Sequence, residues 1–460
     1  MNFTSPAFLL GFPVVVLLHW RLPHRWRWAL LLAASYLFYM GHTPALALLL
    51  LAVTVSTYAA GLGLSRRPGL RPLWLLLGMG VPLGTLALFK YGDFFLSVAG
   101  SSSTLGLLLP VGISFYTFQT LSYVLDVYRG EVQPEGHFGY YALFVSFFPQ
   151  LVAGPIERPE HLLPQLHMQQ TLTGEDIETG LSLLAEGFFR KLALADVLAQ
   201  AVEPVYQPGA AVNGTGVVLG TVCFALQIYC DFSGYSLIAL GAARLLGVRL
   251  SVNFRQPYDS ATIGEFWRRW HITLNQWFAD YVYRPLGGNR KGLMRQLLAV
   301  AVVFALSGLW HGAAWHFVAW GCLHGLYRIG GILWERLGLK WHLPVWLCRC
   351  RTFALVCVGW LLFRADSLSH AGALLAALTK GWSPSGLSAA LRLTGLTGTG
   401  GLTAAAGALC LLLLDRRQRD DREESKYLWA LRCFLLAMGA LFSHLLLSGG
   451  GESVFLYFQF

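Results

Sequence analysis

The chain has 460 residues, of which 55% are hydrophobic and only 13% charged, with a formal net charge of +10. A soluble domain carries about 25% charged residues, so this density excludes an ordinary soluble enzyme or binding module and points to lipid surroundings. The positive excess reads as cytoplasmic loops rather than a nucleic-acid footprint. Stretches without Lys, Arg, Asp or Glu recur at 28–65, 72–89, 94–125, 137–156, 204–230, 296–327, 393–414 and 433–451. A helix needs about 20 apolar residues to cross a bilayer, and several of these runs exceed one crossing. The expected fold is therefore an all-α polytopic membrane protein. It forms a single integral-membrane domain over 1–460 with roughly ten spans, some short or re-entrant.

In chain order, the apolar "FLLGFPVVVLL" has no basic residues ahead of it and no small-residue cleavage site behind it. It does not read as a secretory signal. The basic "RLPHRWRW" that follows is expected to stay cytoplasmic and leave the N-terminus outside. "RRPGLR" at 66–71 shares that side if 28–65 forms a hairpin of two spans.

Further on, "TLTGEDIETGLSLLAEGFFRKLALADVLA" opens with a cap at Thr173. It carries Ile177, Leu181, Leu184, Phe188, Leu192 and Ala195 at three-to-four spacing. That pattern predicts an amphipathic helix at the interface or against the bundle. Asp231 stands alone in the apolar "VCFALQIYCDFSGYSLIAL". It either orients a basic group or caps a broken helix, and both readings stay open.

Residues 253–295 hold seven basic residues against three acids, a net of +4. Trp267, Trp270, Trp277, Phe278, Tyr281 and Tyr283 are interleaved with them. This is a basic cytoplasmic lobe at interfacial depth, either anchoring its neighbours or docking an anionic cytoplasmic ligand. "DRRQRDDREESK" at 415–426 balances five basic against five acidic residues and reads as a solvated connection between the last two long spans. The eight cysteines are scattered, with only a C-x-C pair at Cys348 and Cys350, so neither a disulfide framework nor a metal site is expected.

The chemistry concentrates in "GLWHGAAWHFVAWGCLHGLY" at 308–327, where His311, His316 and His324 sit in a charge-free stretch. Neutral imidazole is affordable at such depth and is a competent general base. On a regular helix the second and third rings would point about 140° and 220° away from the first, so all three cannot face one cavity. His311, between the bulky Trp310 and the gap of Gly312, is the candidate that a substrate could approach. His316 and His324 read as packing residues. The H-x4-H spacing is not that of a zinc helix, and "DFSGYS" does not match a serine-nucleophile elbow. The Gly-rich "TGLTGTGGLT" at 394–403 has no P-loop lysine. These residues describe an intramembrane transferase or a proton-coupled exporter about equally well.

Several strings decide between them by resemblance. "LPVGISFYTFQTLSYVLDVYRG" (109–130), "FFPQLVAGPIERP" (147–159), "GFFRKLALAD" (187–196) and "DFSGYSLIALGAARLLG" (231–247) occur in order. "NFRQPYDSATIGEFWRRWHITLNQWFADYVYRPLGG" (253–288), "SGLWHG" (307–312) and the terminal "FLYFQF" follow. Together they resemble the membrane-bound O-acyltransferase (MBOAT) family, in particular its bacterial, alginate-type polysaccharide O-acetyltransferase branch. The resemblance implies a helical bundle with a central funnel or tunnel and re-entrant or interfacial helices, in the bacterial inner membrane. There a cytoplasmic acyl thioester, acetyl-CoA, meets an acceptor hydroxyl.

The resemblance makes His311 the key histidine and His271 its second, with Asp231, Asn253, Trp267 and Trp310 lining the site. Arg268, Arg269, Arg284 and Lys291 are candidates to hold CoA phosphates. No bound cofactor and no metal are expected. An outer-face partner protein is expected to take the acyl group and pass it to the polysaccharide. The sister branch, which transfers D-alanine from a carrier-protein thioester to teichoic acid, is the alternative.

Overall fold

A computed structural model describes residues 3–41, 44–152, 154–338, 343–417 and 426–447. The terminal "FLYFQF" and most of the charged connection at 415–426 lie outside the described residues. Among the described residues the secondary structure is entirely helical, with no strand. Among the described residues five helices are long and apolar enough to cross a membrane: Leu46–Arg66, Pro68–Val98, Gly214–Leu245, Leu293–His311 and Val345–Arg364.

The expectation of roughly ten spans included short ones, and shorter apolar helices, Pro6–Arg21, Leu368–Ala377 and Leu428–Ser443, accompany these five. The run 28–65 holds two helices, His24–Met40 and Leu46–Arg66, the first of them only 17 residues long. The run 137–156 holds two short pieces, Phe138–Ser146 and Phe148–Leu151. At 1.5 Å per residue neither approaches the ~30 Å of hydrocarbon. The run 94–125 covers the end of the helix Arg71–Val98, a non-helical stretch and most of the helix Ile113–Arg129.

The chain clusters into two compact units. One comprises residues 1–184 with 235–252, the other 185–234 with 253–460. In the first, the helix Ile113–Arg129 is buried nearly all round, including Ser114, Thr117, Gln119, Thr120 and Ser122. Such a helix needs internal partners for its polar groups, and several have them. Thr120 and Ser122 donate to the carbonyls one turn back, each at 2.8 Å, and Gln119 Nε2 donates to the Phe144 carbonyl at 2.7 Å.

The expected cap at Thr173 is present. Its Oγ1 accepts the Asp176 N–H at 3.1 Å and donates to the Asp176 carboxylate at 2.6 Å. The helix Gly174–Phe188 that it starts buries its expected apolar face only beyond its far end, at Leu192 and Ala195. Ile177 and Leu181 are exposed, while Glu186, Arg190 and Lys191 are buried where the helix loosens into a π-helical stretch, Phe189–Ala195.

In the second unit, the closest pairing is between the helices Leu293–His311 and Trp315–Arg336. Small residues let their backbones meet. A Cβ on Gly308 would lie 2.3 Å from the Phe317 carbonyl oxygen, and one on Gly321 would lie 2.2 Å from that of Phe304. Membrane helices pair in this way because lipid supplies no hydrophobic drive between them, leaving close packing to hold the contact.

Candidate active site

The basic lobe positions one histidine. Thr262 caps the helix Ile263–Arg269, its Oγ1 accepting the Glu265 N–H at 3.1 Å, and Glu265 reaches back to the Ala261 N–H at 2.8 Å. This reciprocal cap starts a helix of only two turns. The chain then reverses through His271, whose backbone is left-handed at φ 45°, and enters the helix Ile272–Phe278. Asn253 receives that entry. Its carbonyl accepts the Ile272 N–H at 3.0 Å, and its Oδ1 accepts the Thr273 hydroxyl at 2.7 Å.

The His271 ring is fully buried against Phe232, with ring centres 4.8 Å apart, and Trp310, 5.8 Å apart. Burial pushes its pKa down to about 3, so the ring is uncharged at physiological pH.

His311 is the last residue of its helix, and the chain turns extended at Gly312. The single regular helix assumed for the three histidines therefore does not exist, because His316 and His324 belong to the helix Trp315–Arg336. Nor is Gly312 an open gap: a Cβ there would fall 2.1 Å from the Phe317 ring, which occupies the space. The His311 ring meets Trp310 at 5.0 Å, Trp320 at 4.9 Å and Phe363 at 5.4 Å. Trp310 thus touches both His271 and His311. Trp267 joins the same cluster through Trp320, at 5.7 Å. Four residues singled out in the sequence, Trp267, His271, Trp310 and His311, form one continuous buried group.

The other two histidines differ from each other. His316 Nδ1 lies 3.2 Å from the Leu362 carbonyl oxygen, a bond to a neighbouring helix. His324 is completely buried in an aromatic cage of Trp267, Trp320 and Tyr327, and neither ring nitrogen has a hydrogen-bond partner among the described residues. Gly359 closes that cage, since a Cβ on it would stand 2.5 Å from His324 Nε2. Gly359→Ala is therefore expected to overpack the cage and destabilise the protein by about 1–3 kcal/mol. Thermal unfolding in detergent checks this; an unchanged midpoint would mean that the imidazole swings aside freely.

Asp231 resolves in favour of orienting a basic group. Its carboxylate lies 2.7 Å from Lys191 Nζ, which also reaches Asp196 at 2.9 Å, and Lys191 and Asp231 are both 3% exposed. The adjacent Arg190 pairs with Glu186 at 2.6 Å and Asp415 at 2.8 Å. Lys191, Asp196, Arg190, Glu186 and Asp415 were not identified from the sequence. The available signal was a pair of adjacent cations inside an apolar stretch, in the same motif set as a lone buried acid.

The four donor candidates also separate. Arg269 is engaged with Glu265 at 2.6 Å, and Arg284 with Asp280. Arg268 and Lys291 are exposed and have no acidic partner among the described residues. Among the described residues no three His, Cys, Asp or Glu side chains gather as a metal site.

Comparison with known proteins gives a consistent picture. The profile of MBOAT, the membrane-bound O-acyltransferase family, matches residues 135–350. The chain is 38% identical to the "Probable alginate O-acetylase AlgI" of Pseudomonas putida, over 86% of this chain and 84% of that protein. It is 35% identical to the peptidoglycan O-acetyltransferase of Helicobacter pylori, over 65% of this chain and 63% of the relative. Identity to the teichoic acid D-alanyltransferase of Streptococcus thermophilus is 28%, over 51% and 60%.

Proposed function

The chain belongs to the membrane-bound O-acyltransferase family, and on that premise we propose that it moves an acetyl group from cytoplasmic acetyl-CoA to a hydroxyl on the way to an extracytoplasmic polysaccharide. The observation that carries the reading is the buried contact of Trp310 with both His271 and His311. In the reaction, His311 takes the proton of the acceptor hydroxyl as its oxygen attacks the thioester carbonyl. The C–O bond forms, the C–S bond breaks, and the departing sulfur receives that proton back. A positioned base of this kind contributes about 10²–10⁴-fold. His271, held uncharged, assists by orienting the acyl group.

Acetyl is favoured over D-alanyl because the alginate-type relative matches more of the chain, at higher identity, than the D-alanyltransferase does. The inner membrane, an N-terminus outside and an outer-face partner that relays the acyl group complete the proposal. The test is reconstitution in vesicles with labelled acetyl-CoA confined to the cytoplasmic side and candidate acceptor protein on the other. Labelled partner is the expected result. Transfer only from a D-alanyl carrier thioester would select the sister chemistry, and label crossing without covalent transfer would make the chain an exporter.

The free cations refine this test. Arg268→Ala and Lys291→Ala are expected to raise KM for acetyl-CoA more than they lower kcat, and binding should weaken with salt at a Debye length of ~8 Å. Arg269→Ala and Arg284→Ala should affect KM less, since their charges are already answered within the lobe. A KM indifferent to all four substitutions and to salt would move the donor site elsewhere.

A further inference from the structure

We propose that Asn275 is a positioning residue for His271, fixing the left-handed turn that carries the ring. The proposal rests on His271 taking part in acyl transfer. Asn275 is half-buried in the first turns of the helix Ile272–Phe278. Its Nδ2 donates to the Trp267 carbonyl at 2.8 Å and the Trp270 carbonyl at 2.6 Å, and lies 3.2 Å from that of His271. An amide nitrogen has two hydrogens, so the third contact is shared.

The Trp267 and Trp270 carbonyls belong to the end of the helix Ile263–Arg269 and to the reversal after it, past the last turn of that helix, while the His271 carbonyl also accepts the Asn275 backbone N–H at 3.1 Å. One side chain therefore ties the Trp267 and Trp270 carbonyls together across the reversal, whose Arg269 carbonyl accepts the Arg255 N–H at 3.0 Å. Without it they would be left without these donors beside a ring that is itself completely buried.

The reversal needs such support. A left-handed conformation costs an L-residue about 1–2 kcal/mol, and it persists only where the surroundings over-determine it. Asn253 holds the far side of the turn through the Ile272 N–H and the Thr273 hydroxyl. Asn275 holds the near side. Between the two clamps, His271 has one place to be, against Trp310. Loss of the Asn275 clamp lets the backbone at 270–271 relax toward right-handed geometry and carries the imidazole off Trp310. The Arg268 side chain, exposed on the preceding helix, does not depend on that ring. Donor affinity should therefore survive where turnover does not.

The experiment is a double-mutant cycle on the purified full-length protein, with kcat and KM for acetyl-CoA measured for Asn275→Ala, His271→Ala and the pair. Asn275→Ala is expected to lower kcat by about tenfold to a hundredfold, the scale of a misplaced reacting group, with KM nearly unchanged. In the His271→Ala background the same change should cost nothing further. If Asn275→Ala does not fold, Asn275→Ser keeps one donor and should give a smaller loss with the same cycle. Equal losses in both backgrounds, or a kcat untouched by either Asn275 variant while His271→Ala is impaired, would overturn the positioning role alone. Full turnover in His271→Ala would overturn the role of His271 in the reaction, and the positioning role with it.

Discussion

On the proposed mechanism His311→Ala is expected to lower kcat for acyl transfer by about 10²–10⁴-fold, the loss of a positioned base. From the sequence, a cavity-lining imidazole would contribute little to packing, and the variant would fold normally. The ring is instead only 4% exposed and wedged among Trp310, Trp320 and Phe363. Truncation therefore leaves a void and costs some stability. His311→Gln, closer in volume, separates the two effects: it should keep the fold and still lose turnover. His316→Ala and His324→Ala are expected to act through stability instead, the first by breaking the bond to the Leu362 carbonyl and the second by emptying the aromatic cage. The measurement is turnover normalised to folded protein by size-exclusion chromatography. Equal loss of normalised turnover in all three positions would contradict the division of roles.

Lys191→Met is the substitution expected to harm the fold most. The ammonium stands between Asp231 and Asp196 and is 3% exposed. Removing it strands the Asp231 carboxylate, itself 3% exposed, without its cation. Breaking one side of a buried pair typically costs 3–5 kcal/mol, whereas replacing both sides with neutral groups of similar volume is often close to harmless. A protein's whole margin is about 5–15 kcal/mol. Lys191→Met is thus expected to yield little folded protein, and Lys191→Met with Asp231→Leu should recover much of it. Asp231→Asn alone should be milder, because Asp196 still answers the lysine. The yield of monodisperse protein and its unfolding temperature in detergent decide the matter. A stable Lys191→Met, or a double variant no better than the single, would show that the pair does not hold this region.

What the sequence disclosed follows from which physics is local. The two helices over 28–65 and the Thr173 cap were legible because helix ends and caps are written in neighbouring residues. Which side of the helix Gly174–Phe188 is buried was left open by the sequence for a reason peculiar to membranes. Periodicity finds two faces, but in lipid the apolar one can point outward and the charged one inward, so the sign must come from partners far along the chain. Charge-free runs do not map one to one onto helices, because a run such as 94–125 joins the end of a long helix to an internal one. At the site, the motif residues were recognisable one by one. Their meeting was not: the break after His311 has no proline to announce it, and the left-handed turn at His271 is imposed by Asn253 and Asn275 from either side. Asn275 itself carries no charge and fits the helix pattern around it, so nothing set it apart before its three carbonyl contacts were known.

The meeting of bare backbones at Gly308 and Gly321 bears on motion as well as on packing. Helices that slide during a working cycle do so on cushions of side chains, which change rotamer as one element moves past the other. The pair ending in His311 and starting at Trp315 has no such cushion where it crosses, so the two helices travel as one block or stay still. If the proposed mechanism holds, the histidine is an anvil: any opening that admits the reactants belongs to the surrounding elements, and the reactants are brought to the imidazole rather than the reverse.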